Sequence, residues 1–317
     1  MMWNFVVEVI LSAALLVIGL VMLCFGGNWL VSGGVGIAKK LRISNLVIGL
    51  TIVAYGTSTP ELAASIAAAG DHGAIILGNI VGSNIANVGM VIGVAAILVP
   101  LAIQKSVLRK EIPIMLGVSM LLVLLSIDGE ISQYDGALLL VGLGVFAFYT
   151  FRDALKQRIK TENTSENTSN NIYLKSFGLI AIGIVVLYIG AILTVDNAVI
   201  IATEFGLSEK IIGLTVIAIG TSLPELITSI IAIRKGHSEI GIGNIIGSNI
   251  YNILMIMGVG AALGGVLITA DVYVDYAIMI IFSLSLLIGL KTKIINRTMG
   301  IILATGYILY LVTTFFK

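Results

Sequence analysis

The chain has 317 residues, of which 58% are hydrophobic and only 11% are charged, and its formal net charge is +1. Soluble domains carry about 25% charged residues, whereas the apolar residues here come in runs of about 20, the length that crosses a bilayer core. The composition therefore indicates an all-α integral membrane protein and excludes a nucleic-acid-binding protein with a basic stripe. One Cys and two His residues also exclude a disulfide framework and a metal site rich in cysteine or histidine.

Hydropathy predicts ten transmembrane helices in two groups of five. They lie near residues 8–37, 43–69, 73–100, 107–126, 134–151, 173–203, 209–233, 239–265, 273–290 and 298–316. The connections are short except for one polar segment between the fifth and sixth helices. We therefore expect a first five-helix repeat at 1–151, a short loop at 152–172 and a second five-helix repeat at 173–317.

The basic residues predict the topology. Sixteen of the 18 Lys and Arg residues lie in or beside odd-numbered connections, and the even-numbered ones carry mainly acidic residues. The positive-inside rule then places the odd connections, including the loop at 152–172, in the cytoplasm. We expect a multi-pass protein of the cell (plasma) membrane with both termini extracellular.

An internal duplication relates the two halves. Residues 49–65 (GLTIVAYGTSTPELAAS) match residues 213–229 (GLTVIAIGTSLPELITS) at an offset of 164, and residues 78–87 (GNIVGSNIAN) match 243–252 (GNIIGSNIYN) at an offset of 165. Because each half has an odd number of helices, the copies must be inverted with respect to the membrane. Inverted repeats with ions bound at their interface are typical of secondary transporters, although a repeat alone also fits a channel.

Two acidic residues lie deep in apolar segments, Glu61 and Glu225. A carboxylate at the bilayer centre costs roughly 2.5–3.5 kcal/mol on insertion scales. No Lys or Arg lies near either glutamate to offset that cost, since Lys210, the only one in the two predicted helices, is at the far end of its helix. The compensating partner is then a bound cation or a proton. The alternative is a protonated glutamate that only hydrogen-bonds a neighbouring helix.

Each glutamate follows a proline, Pro60 or Pro224, which breaks the helix and deprives a carbonyl of its donor. Oxygen ligands therefore cluster in both copies: the carbonyls near Ala54, Gly56, Ala218 and Gly220, and the hydroxyls of Thr57, Ser58, Thr221 and Ser222. Each threonine precedes its glutamate by four residues, which puts both side chains on one helix face. The alternative for each hydroxyl is a bond back to its own helix.

The second motif carries a polar stripe at four-residue spacing in each copy, formed by Asn79, Ser83 and Asn87 and by Asn244, Ser248 and Asn252. We expect their oxygens to serve as ion ligands, with an entirely structural role as the alternative. The glycine pairs in these motifs, Gly78 with Gly82 and Gly243 with Gly247, indicate close helix packing.

All these candidate ligands are oxygens, which hard cations such as Ca²⁺ and Na⁺ prefer. Two carboxylates match one Ca²⁺ in charge, but the same oxygens can also hold monovalent ions. Competition for one set of carboxylates is the simplest basis for exchange. No enzymatic motif and no cofactor are indicated, and the expected partners are Ca²⁺, Na⁺ and the lipid bilayer, with no nucleic acid and no obligate protein partner.

The paired motifs GTSTPE/GTSLPE and GNIVGSNIAN/GNIIGSNIYN resemble the two α-repeats of the sodium/calcium exchanger branch of the cation/calcium antiporter (CaCA) superfamily. The resemblance implies Na⁺/Ca²⁺ antiport by alternating access, through sliding of the first and sixth helices. It implies a Ca²⁺ site at Glu61 and Glu225, with Asn87 and Asn252 lining the same centre. It also implies surrounding Na⁺ sites formed by Thr57, Ser58, Ser83, Thr221, Ser222, Ser248 and the carbonyls of Ala54 and Ala218.

Three features separate the branches of this superfamily. Proton-coupled relatives carry a Glu where this chain has Gly82 and Gly247. Potassium-dependent relatives typically carry an Asp in place of Asn252, as some prokaryotic sodium-coupled members also do. The short central loop matches the prokaryotic type without a regulatory domain. These features favour sodium coupling without potassium. A Ca²⁺/H⁺ or other cation exchanger is the alternative, and a cation channel is a weaker one.

Overall fold

A computed structural model describes residues 2–67, 73–160, 171–206, 218–269, 272–288 and 293–315. Its helices are α1 (Met2–Leu41), α2 (Asn45–Ile48), α3 (Ala54–Thr57), α4 (Thr59–Ala67), α5 (Gly73–Ala86), α6 (Gly93–Leu98), α7 (Ile112–Leu125), α8 (Gln133–Lys160), α9 (Asn171–Glu204), α10 (Ala218–Thr221), α11 (Leu223–Arg234), α12 (Ser238–Tyr251), α13 (Gly258–Gly264), α14 (Val272–Ser285) and α15 (Arg297–Phe315).

Short π-helical segments make several of these helices continuous. Gly49–Val53 joins α2 to α3, Asn87–Ile92 joins α5 to α6, and Asn252–Met257 joins α12 to α13. Val107–Glu111 leads into α7, and the 3₁₀ turn Leu286–Ile288 extends α14. The described residues thus form ten helical segments at the positions predicted from hydropathy.

Six of these segments are long and apolar enough to cross a membrane: Val7–Leu41, Ile76–Leu98, Gln133–Lys156, Tyr173–Glu204, Ser238–Gly264 and Arg297–Thr314. The other four are shorter, broken at a proline or partly outside the described residues. The all-α membrane fold is therefore confirmed.

The connection between the halves is shorter than predicted. Helix α8 continues past residue 151 to Lys160, and α9 already begins at Asn171, so helices occupy both ends of the loop expected at 152–172. Ala154 is buried although Arg152, Asp153 and Lys156 lie close to it in the sequence, so this end of the helix still packs on the protein. The rest of the polar segment, 161–170, lies outside the described residues.

Two short antiparallel ribbons reflect the inversion of the repeats. Strand β1 (Leu101–Ala102) pairs with β4 (Ile294–Ile295), and β2 (Glu130–Ile131) pairs with β3 (Val266–Leu267). In the repeat, β1 corresponds to β3 and β2 to β4. One ribbon therefore joins two odd-numbered connections, the third and the ninth, and the other joins two even-numbered connections, the fourth and the eighth. Equivalent strands of the two copies thus lie in different ribbons, as two oppositely oriented copies require.

The two longest helices, α1 and α9, pack side by side through glycines. A Cβ on Gly26 would lie 2.8 Å from the Leu187 nitrogen, and one on Gly183 would lie 2.8 Å from the Leu30 nitrogen. Only glycine permits this approach, which is how membrane helices gain close van der Waals contact. These are the first and sixth predicted spans.

The centre of the protein is formed by the segments Ile76–Leu98 and Ser238–Gly264, which are more buried than the other four long segments. Against the second of them packs the broken helix at residues 45–67. A Cβ on Gly243 would lie 2.8 Å from the Leu46 carbonyl oxygen, and one on Gly247 would lie 2.8 Å from the Leu50 carbonyl oxygen. The predicted packing role is confirmed for these two glycines.

The equivalent glycines of the first copy make no such contact with the part of the chain that the structure describes. Gly78 is exposed, and within the described part of the chain no atom lies within 4 Å of a Cβ built on Gly78 or Gly82. The segment that would correspond to the packed helix, near residues 209–217, lies outside the described residues.

Candidate ion-binding site

Both broken helices turn at a serine in the same conformation. Ser58 has φ −84° and ψ 10°, and Ser222 has φ −88° and ψ 0°. Helices α4 and α11 start directly afterwards, each with a proline at its second position. Because a proline has no N–H and its φ suits a first helical turn, the sequence itself directs a new helix to begin here.

The two glutamates lie in the first turns of these new helices. Glu61 is 2% exposed and Glu225 is fully buried. The free N–H groups of a first turn carry partial positive charge, which favours a carboxylate there and offsets part of its burial cost. Within the described residues the one ion pair joins Lys110 and Asp153, so no basic side chain of that part of the chain neutralises either glutamate. A buried carboxylate without such a partner requires a cation or a proton.

Glu225 is held by hydroxyls from both halves of the chain. Ser58 Oγ donates to Glu225 Oε1 at 3.0 Å, and Ser248 Oγ donates to the same oxygen at 3.4 Å. Glu225 Oε2 is buried and has no hydrogen-bond partner in the described structure. One carboxylate oxygen therefore fixes the side chain while the other is left to bind something else.

Five other predicted ligand oxygens are also buried without a hydrogen-bond partner in the described structure. The buried side-chain oxygens without a hydrogen-bond partner in the described structure include Glu61 Oε2, Ser83 Oγ, Asn87 Oδ1, Ser222 Oγ, Glu225 Oε2 and Asn252 Oδ1. The duplicated segments contain two more, Ser65 Oγ and Thr228 Oγ1. Buried polar atoms are normally paired, so eight unpaired oxygens in these segments are an unusual concentration. Unpaired oxygens of this kind are able to hold a cation.

Thr57 ties the first broken helix to α12. Its hydroxyl lies 3.0 Å from Asn244 Oδ1 and 3.3 Å from the Ala54 carbonyl oxygen. The same carbonyl accepts the N–H of Ser58 at 3.0 Å. The helix break therefore does not release the Ala54 carbonyl as expected, because Pro60 lies four residues after Gly56 rather than after Ala54. The ligand role of Ala54 stays a prediction.

The second copy turns more tightly. The N–H of Ser222 donates to the carbonyl of Ile219 at 3.1 Å, three residues back, whereas the N–H of Ser58 reaches four residues back. Ala218 begins α10, and Thr221, at its end, is 8% exposed. The two breaks thus differ in their hydrogen bonds although their serines share one conformation.

The polar stripes prove to be of mixed character. Asn244 uses its amide for structure, since its Nδ2 group donates to Ser229 Oγ at 3.0 Å and to the Glu225 carbonyl at 3.4 Å while its oxygen accepts from Thr57. Asn79 is partly exposed. Ser83 is therefore the only stripe residue of α5 and α12 with a buried, unpaired oxygen in the described structure. The other two such oxygens belong to Asn87 and Asn252, which begin the π-helical segments that follow.

Asn84 and Asn249 were not predicted. Asn252 Nδ2 donates to Asn84 Oδ1, and Asn87 Nδ2 donates to Asn249 Oδ1, both at 3.0 Å. These two asparagines follow the motif serines and lie off the four-residue stripe, so helical periodicity did not identify them. The sequence signal that could have identified them is the presence of an asparagine at this place in both copies of the motif.

The donor set is one for a hard cation. The described residues contain no group of three or more His, Cys, Asp or Glu side chains that could hold a metal ion. The site has instead two carboxylates with surrounding hydroxyl and amide oxygens, which suits Na⁺ or Ca²⁺ better than a transition metal.

A protein-family model described as "Sodium/calcium exchanger protein" matches this chain at residues 11–152 and again at residues 175–316. The two matches are offset by 164 residues at both ends, the offset found between the glutamate motifs. The model therefore matches each half of the chain once.

Relatives match along almost the whole chain. A putative antiporter, CaxA, of Alkalimonas amylolytica is 37% identical over 312 residues, which cover 95% of this chain and 98% of that protein. The sodium/calcium exchanger MaX1 of Methanosarcina acetivorans is 33% identical over 343 residues, covering 95% and 98%. A solved structure of the sodium-calcium exchanger NCX_Mj, soaked with 10 mM Na⁺ and zero Ca²⁺, has a TM-score of 0.85 and 34% sequence identity, covering 96% of this chain and 99% of that chain.

Proposed function

This chain belongs to the sodium/calcium exchanger family, and on that premise we propose that it exchanges Na⁺ for Ca²⁺ across the cell membrane. The family makes it a cation antiporter rather than an enzyme. The exchange proceeds by alternating access, with both ions competing for one midplane site centred on Glu61 and Glu225.

One observation carries this proposal. The two buried glutamates come from oppositely oriented copies of one motif, have no basic partner among the described residues, and lie among unpaired oxygens of the same motifs. A protonated structural glutamate could donate from Oε1 to the Ser58 hydroxyl oxygen, but it would still leave Glu225 Oε2 without a partner in the described structure. Cation binding accounts for both the charge and the unpaired oxygens.

The charge of the site explains exchange. Two carboxylates are neutralised by one Ca²⁺ or by two Na⁺, and holding both kinds of ion at once would leave excess positive charge in a low-dielectric interior. The remaining ligands that we propose are neutral: the side chains of Thr57, Ser58, Ser83, Asn87, Thr221, Ser222, Ser248 and Asn252 and the carbonyls of Ala54 and Ala218.

Proton coupling is the second candidate, and helix packing argues against it in one copy. The proton-coupled relatives carry a glutamate at the position of Gly247. In this chain a Cβ at Gly247 would already lie 2.7 Å from the Ala54 Cβ. A glutamate there would force the first broken helix away from α12. This contact supports sodium coupling.

The cytoplasmic side is proposed from charge together with contacts. Lys39 and Arg42, from the first connection, line one cavity with His237 and Glu239, from the seventh connection and the start of α12. These two odd connections therefore lie on one side of the protein. By the positive-inside rule this side is cytoplasmic, and both termini are extracellular.

The direct test uses purified transporter in liposomes. Uptake of ⁴⁵Ca²⁺ is compared between vesicles loaded with Na⁺, vesicles loaded with K⁺, and vesicles with an imposed pH gradient. We expect uptake only where Na⁺ can leave the vesicle, and no further increase when K⁺ is added.

Two variants, Glu61→Gln and Glu225→Gln, should lose this uptake, and Glu130→Gln, at an exposed carboxylate in β2, provides the matched control. Uptake driven by the proton gradient alone would refute sodium coupling. Uptake that requires no counter-ion would indicate a channel instead.

A further inference from the structure

Four asparagines form a reciprocal network where the two repeats meet. Asn84 Nδ2 lies 3.3 Å from the Asn249 carbonyl oxygen, and Asn249 Nδ2 lies 3.5 Å from the Asn84 carbonyl oxygen. The side-chain oxygen of each accepts from the motif-end amide of the opposite repeat: Asn84 from Asn252 and Asn249 from Asn87. All four side chains are 1% exposed, so water cannot substitute for these bonds.

The orientation of Asn84 and Asn249 is imposed by their surroundings. A side-chain amide can turn over without changing shape, so its hydrogen bonds decide which way it points. The carbonyl opposite each amide is an acceptor, and a second weak acceptor also faces each NH₂ group, Met279 Sδ at 3.7 Å from Asn84 and Met115 Sδ at 3.5 Å from Asn249. A reversed amide would place its oxygen against two electron-rich atoms.

This orientation passes to the next pair. Because Asn84 presents an oxygen, Asn252 must present its NH₂ group to it, and the Asn252 oxygen then points away and is left unpaired. Asn249 imposes the same choice on Asn87, whose oxygen is also unpaired. The backbone of each repeat thus determines which atom the motif-end amides offer.

We propose that Asn84 and Asn249 are positioning residues of the ion site, which turn the amide oxygens of Asn252 and Asn87 toward the transported cation. The effect is crosswise: Asn84 acts through Asn252, and Asn249 acts through Asn87. Without these partners the motif-end amides could present N–H groups, which repel a cation. The inference rests on the proposed function because it assigns a role only where Ca²⁺ occupies this site.

The test is a pair of double-mutant cycles, which isolate coupling between two residues. Asn84→Leu, Asn252→Ala and Asn87→Ala are made singly and in pairs, and the Ca²⁺ KM of Na⁺-driven uptake is measured with kcat. Loss of one oriented oxygen should raise KM on the order of tenfold. We expect Asn84→Leu to raise KM no further in the Asn252→Ala background, because the oxygen that Asn84 orients is already missing there. In the Asn87→Ala background the two increases in KM should multiply, because Asn87 is oriented by Asn249.

If Asn84 only supported the fold, its replacement would change KM by the same factor in the Asn252→Ala and Asn87→Ala backgrounds. Equal multiplication in both cycles, or an unchanged KM with less folded transporter, would overturn the inference. If Asn84→Leu does not fold, Asn249→Leu provides the mirror test with the roles of Asn87 and Asn252 exchanged. Ca²⁺ uptake that survives Glu61→Gln would instead refute the proposed function, so the two failures are distinguishable.

Discussion

Replacement of Glu225 by glutamine should abolish Ca²⁺ exchange and leave the fold intact. In the native protein Glu225 Oε1 accepts from Ser58 and Ser248, while Oε2 is unpaired. A glutamine keeps those bonds only if its own oxygen takes the Oε1 place. Its NH₂ group then occupies the place of Oε2, where it meets the cation with N–H groups instead of a negative charge.

The size of the effect follows from the charge that is removed. Two unit charges 4 Å apart interact by about 4 kcal/mol at an effective dielectric constant near 20, and Ca²⁺ doubles this value. Desolvation cancels much of this attraction. Even a loss of about 2.7 kcal/mol lowers affinity about a hundredfold. We therefore expect at least a hundredfold loss of Ca²⁺ affinity, and uptake near background.

The folded state should respond in the opposite direction. Burial of a carboxylate at membrane depth costs roughly 2.5–3.5 kcal/mol on insertion scales, and glutamine carries no charge, so in ion-free buffer the variant should unfold at the native temperature or above it. Ca²⁺ at a hundred times its Kd stabilises a native protein by about 2.7 kcal/mol, and Glu225→Gln should lose this gain. The assay is thermal unfolding with and without Ca²⁺, alongside ⁴⁵Ca²⁺ uptake. Retained uptake within tenfold of native, or an unchanged Ca²⁺-induced rise in Tm, would refute the reasoning.

Two further perturbations test the packing around the site by thermal unfolding in ion-free buffer. Gly247→Ala would place a Cβ 2.7 Å from the Ala54 Cβ and should cost about 1–3 kcal/mol by overpacking. The control change Gly144→Ala lies at an exposed position of α8, where no described atom outside that helix's own backbone lies within 4 Å of an added Cβ. It should be close to neutral, and a loss equal to that of Gly247→Ala would contradict the packing argument. Thr57→Val keeps the side-chain shape but leaves the buried Asn244 oxygen without its donor, which should cost about 1–3 kcal/mol. An unchanged Tm would show that this bond is dispensable.

The sequence predicted the membrane fold well because hydropathy and proline act locally. Apolar runs must be helical in lipid, and a proline deprives a neighbouring carbonyl of its donor wherever it stands. The helix breaks at Ser58 and Ser222 and the burial of both glutamates follow from these rules. The end of α8 was placed too early, since hydropathy marks where a helix leaves the lipid and not where the helix itself ends.

The parts that the sequence did not predict depend on contacts between the repeats. Asn84 and Asn249 lie off the polar stripe of their own helices, and their importance arises only when each meets the other repeat. The same holds for Asn244, whose stripe position suggested a ligand although its oxygen accepts from Thr57. The Ala54 carbonyl was misjudged for a local reason: it keeps the Ser58 N–H as its donor, because the carbonyl four residues before Pro60 belongs to Gly56.

The central claim is that Na⁺ and Ca²⁺ share one site formed by the two glutamates. Equilibrium Ca²⁺ binding to the purified protein, measured by calorimetry at increasing Na⁺ concentration, tests it most directly. Competition predicts that Na⁺ raises the apparent Kd for Ca²⁺ without reducing the number of Ca²⁺ sites, and with more than first-order dependence, because more than one Na⁺ is needed to neutralise two carboxylates. A Ca²⁺ affinity that does not change with Na⁺, or a loss of sites at constant Kd, would contradict the shared site.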